Sequence, residues 1–140
     1  MKTLIPFLLI ALALPAVADD PDDLDPGAKA VFESVQSAWS SGGHEKIGVH
    51  FEKDSKVSLS LDDSGSYSRD QAIARLKKYF DTNKTKSLKL EKDGYEGGNN
   101  PRASYEYEYT DAEGNKQKAT LVVTLRKKGD RWVVSTISRL

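Results

Sequence analysis

Apolar residues recur along this chain with two different periods, and the change of period marks the predicted elements. From Gly27 to Ser40 they follow the helical spacing, as Val31, Phe32, Val35, Ala38 and Trp39. Asp25 and Pro26 suit the N-cap and the first position of this helix, and Ser41-Gly42-Gly43 ends it. We therefore expect a first long helix here, followed by a short helix or turn from His44 to Phe51.

A second long helix is predicted to begin at a capping box. Ser68 stands at the N-cap and Gln71 at the third helical position. The apolar residues behind this box share one helical face: Ala72, Ile73, Leu76, Tyr79 and Phe80. Arg75, Lys77 and Lys78 lie off that stripe.

Alternation with period two predicts five strands. The first, Lys56 to Leu61, is separated from the second long helix by a turn at Asp62 to Gly65. Four more follow as a meander: Ser87 to Tyr95, Ala103 to Thr110, Lys118 to Arg126 and Arg131 to Ser138. The order α-α-β-α-β-β-β-β predicts an α+β fold, in which helices pack on one face of a curved antiparallel sheet, a cone.

The register of one hairpin follows from its side chains. A three-residue loop, Ala112 to Gly114, pairs Tyr107 with Ala119, Tyr105 with Leu121 and Glu108 with Lys118. This register joins apolar to apolar and opposite charges, which a two-residue turn does not, and it puts Gly114 at a left-handed bulge position. The other sheet face is then open and half polar, with Glu106, Glu108, Thr120, Val122 and Thr124.

The buried face of the last strand is left open by its pattern. Trp132 and Val134 compete with Val133 and Ile137 for the inward positions. A two-residue Lys128-Gly129 turn would place Trp132 opposite Leu125, facing in, and we favour this arrangement.

The first eighteen residues have the pattern of a secretory signal peptide. Lys2 precedes an apolar run from Leu4 to Val17, and Ala16-Val17-Ala18 is a small-x-small cleavage site. The run is shorter than the ~20 residues that span a bilayer. We therefore expect export to the periplasm or outside the cell after cleavage near Ala18, with no membrane span in the mature chain.

Residues 19–26 form an acidic leader, which leaves residues 27–140 as a single domain. Five aspartates and two prolines in this stretch cannot build a core, so we interpret it as a disordered tether. A calcium site is the alternative interpretation, but the leader lacks the loop glycine and distal glutamate of an EF-hand.

Composition excludes several classes of chemistry. The 140 residues carry 21 basic and 21 acidic side chains and no cysteine, which suits one small soluble domain. Disulfides, thiol catalysis, cysteine-held metals and a lipoprotein anchor are therefore excluded. His44 and His50 are six residues apart, a poor spacing for a metal site, and no cofactor motif is present. A near-neutral exported chain is not expected to bind nucleic acid, so we interpret its lysines as a solvated face.

Three stretches, in their order and spacing, resemble the nuclear transport factor 2-like superfamily, whose fold is the cystatin-like α+β cone. They are Ala38 to Phe51, Gly65 to Ile73 and Lys127 to Val134. They resemble the family's passage before the first strand, its entry to the third helix and its last hairpin. The chain is most similar to short exported bacterial members of uncharacterised function.

The resemblance does not by itself imply an activity, because the superfamily holds isomerases, dehydratases, hydrolases, carriers and binding modules. Isomerase-type members carry a carboxylate base towards the end of the first strand, and Val57 to Leu61 has no acid. Dehydratase-type members use an Asp–His pair around the cavity, but His44 and His50 both precede that strand. An enzyme with an atypical site in the cone is left as an alternative.

We expect an exported, non-catalytic domain that binds a small apolar molecule or a protein partner and forms a weak homodimer through the open sheet face. A further alternative is a pure interaction or inhibitor module. The candidate ligand-binding residues are aromatic: Trp39, Tyr79, Phe80, Tyr105, Tyr107 and Trp132. The competing interpretation is that these rings simply fill the core. No metal or cofactor is expected.

Overall fold

The first long helix begins at the predicted cap. A computed structural model describes residues 24–140, and α1 spans Pro26–Ser40. Asp25 Oδ1 accepts hydrogen bonds from the backbone N–H of Gly27 at 2.7 Å and of Ala28 at 3.4 Å. Leu24 is buried in the core. The folded part therefore includes Leu24 to Pro26, which are predicted above to belong to the disordered leader.

The predicted signal peptide, residues 1–18, and the leader residues 19–23 lie outside the described residues. Over residues 24–140, every helix is too short or too polar to cross a bilayer.

The remaining elements follow the predicted order, with one addition. They are α2 (His44–Gly48), β1 (Val57–Ser60), β2 (Ser64–Tyr67), α3 (Arg69–Thr82), β3 (Lys84–Glu96), β4 (Arg102–Thr110), β5 (Lys116–Lys128) and β6 (Arg131–Arg139). The capping box of α3 is confirmed, since Gln71 N–H donates to Ser68 Oγ and Ser68 N–H donates to Gln71 Oε1. The predicted α+β fold is confirmed.

One predicted turn is wrong, because its second half is a strand. The sheet has six strands in the order β2-β1-β6-β5-β4-β3. Ser64 to Tyr67 pairs with β1, with Ser60 opposite Ser64 and Val57 opposite Tyr67. This edge strand carries three small residues, so it shows no apolar alternation that would predict a strand. The sheet is also not wholly antiparallel, because β1 runs parallel to β6.

The predicted hairpin register is confirmed. Tyr107 lies opposite Ala119, Tyr105 opposite Leu121 and Glu108 opposite Lys118. Gly114 has a φ of +85°, the left-handed conformation that its position requires.

The predicted register of the last hairpin is wrong. Its turn is Gly129-Asp130, so Trp132 lies opposite Lys127, and Val134 instead of Trp132 lies opposite Leu125. A bulge follows at Thr124/Leu125, and Val133, Val134 and Ile137 are all buried. Trp132 is half-buried and packs against the core, so the inward direction predicted for its side chain is confirmed.

The segment after α2 explains why two neighbouring valines of β6 are both buried. Val134 N–H donates to the His50 carbonyl oxygen at 2.8 Å, so this segment runs beside β6 where β1 does not reach. Glu52 then binds Arg126, which is the β5 partner of Val133, and Lys128. The segment therefore covers this end of the sheet.

Helices α1 and α3 pack on one face of the sheet and enclose the core. Both helices and all six strands except β2 contribute buried residues to one cluster. On the opposite face, Val122 is half-buried between Ser104 and Ser138 of the neighbouring strands. The open face is therefore polar around one apolar side chain.

Candidate functional site

The aromatic residues predicted to line a cavity pack mostly against one another. Trp39 is fully buried, with its ring centroid 4.8 Å from that of Phe80, 5.9 Å from that of Tyr107 and 6.0 Å from that of Tyr79. Tyr105 is also buried, and its hydroxyl donates to the Phe32 carbonyl oxygen at 3.2 Å. These five rings occupy the interior of the cone.

Trp132 lies apart from this group, at the start of α1. Its Nε1–H donates to Asp25 Oδ1 at 3.2 Å, and the Lys127 ammonium lies 5.1 Å from its ring centroid. The structure therefore brings together five of the six predicted residues and places the sixth at the N-terminal cap.

A cleft opens beside the interior, between α3 and the β1–β2 hairpin. One face of α3 lines it at the i, i+3, i+4, i+7 spacing, through Arg75, Lys78, Tyr79 and Thr82. The hairpin side supplies Leu59, Leu61, Asp62, Asp63 and Tyr67. The cleft has a volume of about 90 Å³. Its floor is apolar and aromatic, and its charged groups come from both sides.

Arg139 joins the two sides of the cleft at one end of the cone. Its Nη1 donates to Asp62 Oδ1 at 3.0 Å and to the Tyr79 hydroxyl at 3.2 Å, and its Nη2 donates to the Leu61 carbonyl oxygen at 3.3 Å. The guanidinium also lies 5.5 Å from the Tyr109 ring centroid. Asn83 Nδ2 donates to the other oxygen of Asp62 at 3.2 Å, so both oxygens of that carboxylate have partners.

Two buried phenols continue this network into the interior. The Tyr79 and Tyr107 hydroxyl oxygens are 3.0 Å apart. Burial raises the pKa of Tyr79, and the hydrogen bond with Tyr107 raises it further, although Arg139 acts in the opposite direction. Tyr79 is therefore a neutral phenol at physiological pH, able to donate a hydrogen bond but unsuited to act as a base.

The two cations of the cleft, Arg75 and Lys78, have weaker contacts with opposite charges than the carboxylate of Asp62 has. The Arg75 guanidinium lies 5.0 Å from the Tyr67 ring centroid, and its nearest carboxylate oxygen, on the exposed Asp63, is 3.7 Å away. Within residues 24–140, no carboxylate is within salt-bridge distance of Lys78. Since Asp62 is neutralised by Arg139, the cleft presents an excess of positive charge.

Two other clefts are wider and more polar. One, of about 300 Å³, lies between the ends of α1 and α3 and includes His44, Lys77 and Phe80. The other, of about 480 Å³, borders the β4–β5 loop and includes Asp111 and Glu113. Among the residues that the structure describes, no group of histidine and acidic side chains is arranged to hold a metal ion.

Sequence reasoning missed the residues that define the cleft between α3 and the β1–β2 hairpin. The sequence predicts Tyr79 only as part of an interior pocket, and Arg75 and Lys78 lie off the apolar stripe of the helix. The spacing of Arg75, Lys78, Tyr79 and Thr82 was available as a signal for one helical face. Arg139 carried no local signal, because its partner Asp62 is 77 positions away in the sequence.

Comparison with known proteins places this geometry in a family. A family model described as a domain of unknown function, DUF4783, matches residues 32–138. A crystal structure of a DUF4783 family protein from Bacteroides fragilis has a TM-score of 0.60 at 18% identity, covering 76% of this chain and 93% of that one. A search of proteins with curated descriptions finds none that matches.

More distant structures share the cone. A protein with a ketosteroid isomerase-like fold from Catenulispora acidiphila, in complex with trimethylamine, has a TM-score of 0.62 at 12% identity, covering 79% of this chain and 83% of that one. An NTF-2-like protein of unknown function from Shewanella oneidensis has a TM-score of 0.53 at 12% identity, covering 81% and 95%. Such identities bear on fold alone. The match over residues 32–138 shows that this chain belongs to the DUF4783 family, with the nuclear transport factor 2-like fold that its sequence resembles.

Proposed function

We propose that this protein is an exported binding domain that does no covalent chemistry and holds a small group in the cleft between α3 and the β1–β2 hairpin. One observation carries the proposal. Trp39 and its neighbouring rings contact one another in the interior of the cone, while the cleft beside it is open and lined by both apolar and charged groups. The interior rings then act as the rigid support of the site, and Tyr79 links the two.

The size of the cleft limits what it takes. Pockets for drug-sized ligands measure roughly 300–1,000 Å³. A cleft of about 90 Å³ suits a smaller object, either a molecule of a few heavy atoms or one side chain of a protein partner. The volume of the cleft therefore favours a small apolar ligand over a drug-sized one.

The chemistry of the interior supports binding over catalysis. The five interior residues are a tryptophan, a phenylalanine and three tyrosines, and burial raises the pKa of both Tyr79 and Tyr105. Phenols held neutral in this way donate hydrogen bonds but do not abstract protons at neutral pH. Strand β1, with the sequence Val57-Ser58-Leu59-Ser60, brings no acid to their side.

Fragment mapping by NMR tests the location of the site. Backbone amides of Arg75, Lys78 and Thr82 report on the cleft, and the Trp39 indole N–H reports on the interior. We expect small fragments to shift the cleft resonances and to leave the Trp39 indole unchanged. Saturable shifts of the Trp39 indole without shifts in the cleft would overturn the proposal.

A pair of neighbouring variants provides the control for this mapping. Lys78→Trp places a large ring at the cleft, whereas Lys77→Trp makes the same chemical change at an exposed position of α3 outside its lining. Fragment shifts should disappear in the first variant and persist in the second.

Export is part of the proposal and has its own test. The support is the sequence pattern of residues 1–18, with a small-x-small site ending at Ala18. Intact mass of the protein from the envelope and medium fractions of its own cells should correspond to a chain beginning at Asp19. A full-length mass in the cytosolic fraction would contradict export.

The predicted homodimer through the open sheet face stays a prediction. Val122 sits between Ser104 and Ser138, so this face offers little apolar surface to bury. Any dimer formed there should be weak, and sedimentation velocity at rising concentration of the wild type and of Val122→Glu measures it.

A further inference from the structure

The hydroxyls of Tyr79 and Tyr107 together leave one hydrogen without an acceptor. Arg139 can only donate, so its bond at 3.2 Å uses the Tyr79 oxygen as an acceptor. The 3.0 Å contact between Tyr79 and Tyr107 uses one of the two phenolic hydrogens. Among the described residues, neither hydroxyl has a further partner, although Tyr107 is 1% and Tyr79 5% exposed.

The spare hydrogen can be placed on the residue that borders the cleft. If Tyr107 donates to Tyr79, the Tyr79 oxygen accepts two hydrogen bonds, from Tyr107 and Arg139, and its own hydrogen is free. Buried donors without acceptors cost free energy, so this arrangement favours an acceptor oxygen supplied from the cleft that Tyr79 lines. Donation along the chain of hydroxyls also strengthens the last donor.

The cations beside Tyr79 favour a charged acceptor over a neutral one. Arg75 is stacked on Tyr67, which leaves the N–H edges of its planar guanidinium available, and its contact with Asp63 is a loose 3.7 Å. Lys78, one position before Tyr79, has no salt-bridge partner among the described residues. A carboxylate matches both the guanidinium and the phenol.

The apolar part of the ligand is indicated by the remaining lining. Leu59, Leu61 and the Tyr67 ring form the other wall of a cleft of about 90 Å³. This wall suits a short branched or aromatic group next to the charged end. A free small acid and the C-terminal residue of a peptide share this chemistry.

We propose that the cleft binds a carboxylate attached to a small apolar group, with the Tyr79 hydroxyl donating to the carboxylate and Arg75 and Lys78 balancing its charge. The proposal rests on the cleft being the binding site of the proposed function. Asp63 competes with the ligand, because its carboxylate lies nearest to Arg75 and a bound acid would displace it.

Matched acids and amides test the proposal in the full mature chain. Isovalerate against isovaleramide represents a free small acid, and N-acetylleucine against N-acetylleucinamide represents a peptide C-terminus. NMR titration should show the acid of at least one pair binding to the cleft roughly tenfold more tightly than its amide, since a hydrogen bond to a charged group exceeds one to a neutral group by this order. The pair that responds identifies the source of the carboxylate.

Three conservative variants separate ligand contacts from structural effects. Tyr79→Phe should weaken acid binding roughly tenfold, while Tyr107→Phe, which keeps the Tyr79 donor, should weaken it far less. Asp63→Asn should strengthen binding, because it removes the competing carboxylate. A purely structural role of these residues would produce no gain in Asp63→Asn.

The outcomes distinguish this proposal from the one on which it rests. If isovaleramide, or isopentylamine added as a cationic probe, binds the cleft at least as well as isovalerate, the site stands and the carboxylate assignment is overturned. Equal acid affinity in wild type and Tyr79→Phe also overturns the assignment. If no fragment of any charge shifts the cleft resonances, the proposed site itself fails.

Discussion

At the scale of one residue, Arg139 shows how this fold joins the two sides of the cleft. It is the last residue of β6, and its guanidinium reaches the turn after β1, the Leu61 carbonyl oxygen and the hydroxyl of Tyr79 on α3. Only a fifth of its side-chain surface is exposed. Two separate nitrogens of the guanidinium reach these acceptors, and the single nitrogen of a lysine cannot reproduce that geometry, so lysine is not an equivalent replacement.

Removing this side chain should destabilise the whole domain. We expect Arg139→Ala to lower the free energy of unfolding by about 2 kcal/mol, because three hydrogen bonds from the guanidinium and its cation–π contact with Tyr109 are lost. Urea denaturation measures the change. Lys77→Ala is the control, since its pair with Asp81 is exposed and its removal should cost less than about 0.5 kcal/mol.

His50 should make stability depend on pH near neutrality. Burial lowers the pKa of His50 below its usual 6.5, and Arg131 adds to this. The unfolded chain therefore binds the proton more readily, so the free energy of unfolding should decline as the pH falls through about 6.5. Asp25 and Glu52, whose pKa values are lowered by hydrogen bonds from Gly27 and Arg126 respectively, act in the same direction but at lower pH.

A substitution isolates the histidine contribution. His50 Nε2 lies 2.9 Å from Ser34 Oγ, and a glutamine amide can replace this contact without titrating. For His50→Gln, the free energy of unfolding from urea denaturation should depend less on pH than that of the wild type between about pH 7.5 and pH 5.5. Parallel curves for the two proteins would assign the effect to other groups.

At the scale of elements, α3 supplies four of the residues that line the cleft, and the helix depends on its cap. Its N-terminus is closed by the reciprocal bonds of Ser68 and Gln71. Ser68→Ala should cost about 1 kcal/mol of stability, and Ser68→Asp, which retains a capping oxygen, should retain most of it. Thermal unfolding followed by circular dichroism compares the two, and equal losses would show that the cap is not the cause.

The contact between α2 and α3 requires a residue without a side chain. A Cβ atom added to Gly48 would overlap Cγ1 and Cδ1 of Ile73 on α3. Gly48→Ala should therefore destabilise the protein by roughly 1–3 kcal/mol, although alanine is the better helix former. In the double variant with Ile73→Ala, the added methyl group should no longer be harmful, and a double-mutant cycle by urea denaturation measures this coupling. Additive losses would contradict the close approach.

Elements with a buried face were predictable from the sequence, and the edge strand β2, which has no buried residue, was not. The helices and the Tyr105–Leu121 register follow from alternation against one core. Strand β2 was missed because Ser64, Gly65 and Ser66 carry no apolar period. The cross-strand partner of Trp132 was missed because the turn lies at Gly129-Asp130, one position later than predicted, although the side chain packs against the core as expected.

At the scale of the whole molecule, the cone was predictable but its site was not. The order of elements and the motifs that resemble the superfamily indicate the architecture. The cleft depends on Asp62, Tyr79 and Arg139 meeting through the parallel β1–β6 pair, which no local pattern encodes. Whether an aromatic interior is hollow or filled is also a matter of packing and not of composition.

We propose that aromatic rings fill the interior of the cone and that the ligand binds outside it. A crystal structure of the mature chain under xenon pressure tests this most directly, because xenon enters apolar cavities that stay dry. We predict no xenon atom among Trp39, Phe80 and Tyr107. A xenon atom bound between these rings would show a hollow cone and would contradict the account.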